Sequence, residues 1–163
     1  MEPLENALEP GQWDDYGPGP EGWCRQARRL VRVPGNSLTM SVYVLEPGER
    51  HLPYHFHHGA EEILLVLAGT PTLRTPDGER VLRAGDVAHF PRGAEGAHQV
   101  WNDGDTTVRF VVAAANTTPE VVEYPDSGKV AAMAKTTSQN GPSLWTMHFL
   151  ETATGYWDGE AAG

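Results

Sequence analysis

From residue 37 onward the chain alternates between short runs of β-branched, aliphatic and aromatic residues and tight turn signals. Residues 37–45 stop at Pro47-Gly48, residues 72–75 and 79–83 flank Pro76-Asp77-Gly78, and residues 87–90 lie between Ala84-Gly85-Asp86 and Pro91-Arg92-Gly93. Residues 52–57, 62–67, 98–102 and 106–115 complete the series, the last two separated by Asp103-Gly104-Asp105. Runs this short, without helical periodicity and bounded by residues that preset turn dihedrals, read as strands. About eight in succession predict an all-β fold, an antiparallel barrel or jelly roll. The 18 glycines and 13 prolines fit many tight turns better than long helices.

A length of 163 residues suits one domain, and the absence of an internal repeat gives one barrel per chain. Residues 37–116 are assigned to the barrel core. Residues 1–36, with the glycine- and proline-dense DDYGPGPEGW, form an N-terminal arm. Residues 117–163 form a C-terminal extension in which 119–122 and 130–135 are strand or short helix. Its aromatic residues Tyr124, Trp145, Phe149, Tyr156 and Trp157 are expected to dock, on the barrel itself in the ordinary case or on a second subunit. Strand 62–67 is nearly all apolar, which suits cover on both faces.

Acidic residues outnumber basic ones 22 to 12, a formal charge of −10 that repels nucleic-acid backbones and anionic lipid. The basic cluster Arg25, Arg28, Arg29 and Arg32 is therefore read as a solvated strand or arm. Cys24 is the single cysteine, so no intramolecular disulfide can form, which fits a reducing compartment. The first residues lack the basic and apolar regions of a signal peptide, and the longest apolar runs, 63–68 and 110–115, are too short to span a bilayer. The expected location is the cytoplasm, without nucleic-acid or membrane partners.

Four of the seven histidines fall between residues 51 and 58. In a strand, residues i and i+2 share a face, so His55 and His57 can meet at one centre. Glu62 opens the next run after the turn HHGAE and can face them across the pair. His98 has to arrive from a distant strand, which a barrel interior allows. Neutral imidazoles with one carboxylate suit a borderline divalent metal. On the residues alone, an H-x-H pair is more often two exposed histidines.

Two stretches bear on that choice. GERHLPYHFHHGAEEILLVLAG (48–69) has a glycine, H-x-H, four residues, a glutamate, six residues and a glycine; GDVAHFPRGAEGAHQVWN (85–102) has a glycine, five residues, P-x-G, a histidine, three residues and an asparagine. They resemble the two motifs of the cupin superfamily. The resemblance implies a double-stranded β-helix, or jelly-roll, barrel and a metal held by His55, His57, Glu62 and His98. It also implies one divalent transition metal per chain, Fe(II), Mn(II), Ni(II) or Zn(II). Six residues separate Gly48 from His55 where the motif has five, and four separate Gly93 from His98 where it has two. Glu62 is preferred to its neighbour Glu61 because it keeps the six-residue spacing to Gly69. His51 and His58 are placed at the rim or in solvent, His89 inside the barrel as a satisfied histidine, and His148 has no visible partner. PEVVEYPDSGKVA (119–131) and YWDGE (156–160) resemble segments of small bacterial single-domain cupins.

Three functions follow as expectations. The first is a metal-dependent, dioxygenase-like oxidoreductase acting on a small metabolite, drawn from a ligand set that leaves coordination positions open. The second is a metal-assisted isomerase or lyase, which needs a proton shuttle; Tyr43, Tyr54 and His89 are the candidates, with Tyr54 facing away because it adjoins His55. The third is a non-catalytic binder or sensor of a small ligand. No catalytic residue beyond the ligands is assigned, and a homodimer is expected from the two extensions.

Overall fold

The computed structural model describes residues 6–9, 14–15, 20–24, 26–31, 37–134 and 144–160. In chain order its strands are β1 (Asp14–Asp15), β2 (Gln26–Val31), β3 (Leu38–Leu45), β4 (Phe56–His57), β5 (Glu62–Ala68), β6 (Thr72–Thr75) and β7 (Gly78–Val81). There follow β8 (Val87–Phe90), β9 (Gln99–Trp101), β10 (Val108–Ala115), β11 (Glu120–Tyr124), β12 (Lys129–Ala134) and β13 (Leu144–Phe149). Single 3-10 turns at Ala94–Gly96, Pro125–Ser127 and Leu150–Thr152 are the helical elements among the described residues.

The strands form three antiparallel sheets, ordered β1-β2-β3-β10-β5-β8, β13-β12-β11-β4 and β7-β6-β9. The all-β jelly-roll barrel expected from the sequence is the fold observed. The two stretches left open between strand and helix are β11 and β12, a hairpin turning through Pro125–Ser127 and Gly128. β11 also pairs with β4, Val122 opposite His57, so residues beyond 116 complete the sheet that carries part of the histidine cluster. Arg25 and Arg32 lie outside the described residues, and Arg28 and Arg29 fall within β2.

The apolar core takes alternate residues from facing strands: Leu64 and Val66 of β5, Val108 and Phe110 of β10, Leu45 of β3, with Leu73, Leu82, Phe90 and Val100. Each such side chain contributes roughly 1.5–3 kcal/mol by leaving water. Asn102 locks one end of this core, donating from Nδ2 to the carbonyls of Leu45 (3.0 Å) and Thr106 (2.9 Å) while Oδ1 accepts from the Gly104 N–H.

Two expectations are corrected. β5 is covered on one face: Leu64 and Val66 are buried, whereas Ile63 is 49% and Leu65 37% exposed. An unbroken apolar run predicts burial, but among the described residues no layer covers the outer face of this sheet at Ile63 and Leu65. The C-terminal aromatics Trp145, Phe149, Tyr156 and Trp157 are likewise exposed within the single chain instead of docked on the barrel. β13 is hydrogen-bonded to β12, which itself pairs with β11 and not with the core strands.

Candidate metal centre

The structure explains how residues 43 positions apart in sequence meet, as His55 and His98 do. Their backbones exchange two hydrogen bonds, His98 N–H to the His55 carbonyl at 2.9 Å and His55 N–H to the His98 carbonyl at 3.2 Å. Residues directly opposite in an antiparallel ladder project side by side, and the two rings stand 4.6 Å apart. The longer second motif is absorbed by the 3-10 turn Ala94–Gly96. A Cβ on Gly96 would lie 1.8 Å from the Pro91 carbonyl oxygen, so this tight return admits no side chain. Phe90 stacks on the His98 ring at 3.7 Å and fixes its plane.

Ligating atoms of His55, Glu62 and His98 lie within 4.8 Å of one another, a cluster that could hold a metal ion. Glu62 Oε2 is 3.3 Å from His98 Nε2 and 3.5 Å from His57 Nε2, so His57 stands at the edge of the cluster with its Nε2 turned to the same carboxylate. Three of the four residues singled out in the sequence, His55, Glu62 and His98, form the cluster, and His57 approaches it at the Glu62 carboxylate. Glu61 does not join them. It is half exposed just before β5, paired with His89 (3.5 Å) and Arg92 (3.7 Å).

Electrostatics and hydrogen bonding prepare these groups as ligands. His55 Nδ1 faces the Pro53 carbonyl at 2.8 Å and His98 Nδ1 the Gly96 carbonyl at 2.9 Å. A carbonyl can only accept, so the ring proton sits on Nδ1 and the Nε2 lone pair is free for a cation. Burial, with the charge of His57 second, holds the His55 pKa down at about 4. Burial, then His55, holds His98 well below the ordinary histidine value. Both imidazoles are neutral at physiological pH, as metal ligands must be. Burial pushes Glu62 up, opposed by His57 and reinforced by the like charge of Glu120. The Glu62 carboxylate is desolvated beside the neutral imidazoles of His55 and His98, and a divalent cation is a group that would supply it with a strong counter-charge. The donor set fits a borderline divalent metal.

The cluster lines a cavity of about 180 Å³. Its other walls are Leu52, Val112, Val122 and Met133, with Tyr43, His51 and Tyr124 as the remaining polar side chains among the described residues.

Three site residues were missed or misplaced from sequence. His51, expected at the rim, is 6% exposed, lines the cavity and packs edge-on against Tyr43 at 4.0 Å. Its position was legible: 51, 53, 55 and 57 share parity, and alternate residues of an extended run share a side. Tyr124, read as a docking aromatic, stacks on His55 at 5.9 Å. Glu120 lies behind His57, brought there by the β11–β4 pairing, for which residues 119–131 carry no local signal. His89, expected inside, is half exposed on the outer side of β8, because Phe90 takes the inward position. His58 is on the surface as expected, 2.7 Å from Glu123, and His148 is partnered by the Thr146 hydroxyl. Tyr54 points away from the cavity and under the Arg74 guanidinium, 4.0 Å from its ring centre.

The sequence profile described as "Cupin domain" matches residues 41–114, the stretch that contains all four candidate ligands. Residues 41–114 are a cupin domain. No curated protein matches it. Among solved structures, this chain is similar to a sugar phosphate isomerase of the cupin superfamily from Silicibacter pomeroyi, with 25% identity over 82% of this chain and 81% of the other and a TM-score of 0.69. It is also similar to a protein from Acidithiobacillus ferrooxidans provisionally described as a sugar phosphate isomerase, with 28% identity over 73% and 71% and a TM-score of 0.64. A Thermotoga maritima protein provisionally described as an oxalate decarboxylase shares the fold, with 24% identity over 55% and 78% and a TM-score of 0.51. Among the described residues no helix is long and apolar enough to cross a membrane.

Proposed function

We propose that this protein is a mononuclear metal-dependent enzyme in which His55, His57, Glu62 and His98 hold one divalent cation. The substrate is a small metabolite that enters the cavity and binds beside the cation. The observation that carries the reading is the convergence of His98 Nε2 and His57 Nε2 on one oxygen of the largely buried Glu62 carboxylate, at 3.3 and 3.5 Å, in the lining of a cavity. When bound, the metal supplies Lewis acidity and, as Fe(II) or Mn(II), a redox centre with positions open to substrate and dioxygen.

The protein's own residues orient the substrate. His51 is kept neutral by burial, its pKa lowered to about 3, and offers a hydrogen bond without a charge. Burial raises the Tyr124 pKa, so its hydroxyl stays protonated and can donate. Leu52, Val112, Val122 and Met133 keep water from the apolar part of the ligand. Neutral hydrogen-bonding groups with apolar walls suit oxidation of a positioned substrate better than abstraction of its proton, which favours the dioxygenase-like oxidoreductase.

The second reading, a metal-assisted isomerase or lyase, is favoured by the likeness to the two proteins described as sugar phosphate isomerases and by Tyr43, a proton-shuttle candidate that does line the cavity. A phosphorylated substrate fits less well, since no described cavity-lining residue is cationic. Reconstitution with Fe(II) under anaerobic conditions, followed by an oxygen electrode and a panel of small hydroxy and keto acids, tests the first reading. Solvent deuterium entering substrate in the absence of oxygen would decide for the second, and turnover of neither kind for a non-catalytic binder. A cytoplasmic location is retained as part of the proposal, consistent with the lone cysteine Cys24. So is a homodimer, supported by exposed Ile63, Leu65 and Val87 on neighbouring strands, and a clean monomer in sedimentation would remove it.

A further inference from the structure

We infer that Glu120 is a positioning residue for His57, a buried carboxylate that accepts the Nδ1 proton of His57 and so directs the Nε2 lone pair toward the cluster. The inference rests on the metal-binding reading above and adds to it a residue outside both sequence motifs.

His57 Nδ1 is buried without a hydrogen-bond partner. Such atoms are rare and costly in folded proteins. The acceptor it faces is Glu120 Oε1 at 3.7 Å, and a contraction of about 0.8 Å would bring the pair to ordinary hydrogen-bond length. The other two imidazoles already have this arrangement, with the Pro53 and Gly96 carbonyls at Nδ1. A neutral imidazole has one ring proton. If it sits on Nδ1, opposite Glu120, then Nε2 is a bare lone pair 3.5 Å from Glu62. A carboxylate in that role polarises the ring more than a carbonyl does and makes it a stronger ligand.

Glu120 is itself held for the task. It is 7% exposed, and Oε1 accepts the backbone N–H of Gly59 and of Val121, each at 3.1 Å. Oε2 accepts the Thr117 hydroxyl. The space exists because residue 59 is glycine: a Cβ there would lie 2.7 Å from Glu120 Oε2 and 2.9 Å from Thr117 Oγ1. The β11–β4 pairing sets Val122 opposite His57 and brings Glu120 behind the ring. The alternative is that Glu120 only clasps the turn at residue 59 to β11. That role needs acceptor oxygens but not a negative charge facing Nδ1.

Glu120→Gln separates the two roles, because the amide oxygen can still accept from the backbone while the charge is lost. Mn(II) and Zn(II) affinities are measured by chelator competition, alongside the melting temperature of the metal-free protein. Affinity should fall about 10–100-fold with the melting temperature unchanged. Thr117→Val, which frees the carboxylate, should show a smaller loss in the same direction. In wild type loaded with Zn(II), nitrogen NMR of His57 should report a protonated Nδ1. Wild-type affinity in Glu120→Gln, or a His57 protonated on Nε2, would overturn the inference and leave the metal reading standing. Wild-type protein that takes up no metal would instead overturn that reading, and this inference with it.

Discussion

Phe110 and His51 pack edge to face at 5.2 Å and mark the border between two unlike halves of one barrel. On one side lie Leu45, Leu64, Val66, Val100 and Val108, each at most 1% exposed. On the other lie His51, His55 and His98, nearly as buried, with Glu62 beside them. Similar burial has opposite consequences. Apolar side chains gain from leaving water, whereas imidazoles and a carboxylate lose hydration that hydrogen bonds only partly restore. A single strand supplies both halves, for Glu62, Leu64 and Val66 occupy one face of β5. The apolar half secures the fold, and the imidazole half holds groups whose solvation a ligand has to replace.

The sharpest way to break that division is a truncation in each half. Phe110→Ala should cost about 3–5 kcal/mol in chemical denaturation, whether or not metal is present, by loss of transfer energy and the cavity left behind. Glu62→Gln should act in the reverse manner. The metal-free protein should be as stable as wild type or more so, while metal affinity in a competition assay falls by more than the roughly 10–100-fold typical of outer-shell changes. Equal loss of stability in both variants would erase the distinction between the halves.

A pH series on metal-free protein tests the same contrast more gently. His51 and His55 have pKa values lowered to about 3 and about 4, so between those values and the ordinary 6.5 the unfolded chain binds more protons. Their contribution is complete above about pH 6.5 and is lost as pH falls toward 4 and then 3. Glu62, raised by burial, works in the opposite sense: its contribution is present below its ordinary value and lost as pH rises through the raised one. His51→Phe should flatten the acid limb measured by urea denaturation, and an unchanged slope would show that His51 titrates normally. The smallest effect belongs outside the barrel. His89→Ala, which removes an exposed 3.5 Å contact with Glu61, should change stability by no more than about 0.5 kcal/mol and leave metal binding as it is.

Much of this division is legible in the sequence because it is local. Period-two alternation and turn residues locate β3, β5, β6, β8 and β10 to within about two residues, and the H-x-H spacing with Glu62 marks the ligand end. What was not legible depends on which strands pair. Glu120 reaches His57 only because β11 joins β4, and no spacing within 117–124 announces a partner some 60 residues earlier. The face of β5 carrying Ile63 and Leu65 was misread for a related reason: apolar character does not say whether another layer covers a strand. His89 and His51 exchanged expected places, since parity with Phe90 puts His89 outside while parity with His55 puts His51 inside.

Whether the imidazole half is a metal site can be read from a single titration. Metal-free wild-type protein at neutral pH is titrated with Co(II), following the visible absorption of the bound ion. Saturable binding at one equivalent per chain is expected, with the signal lost as pH falls toward about 4, where His55 takes up a proton. No saturable uptake, or uptake that Glu62→Gln leaves unchanged, would contradict it.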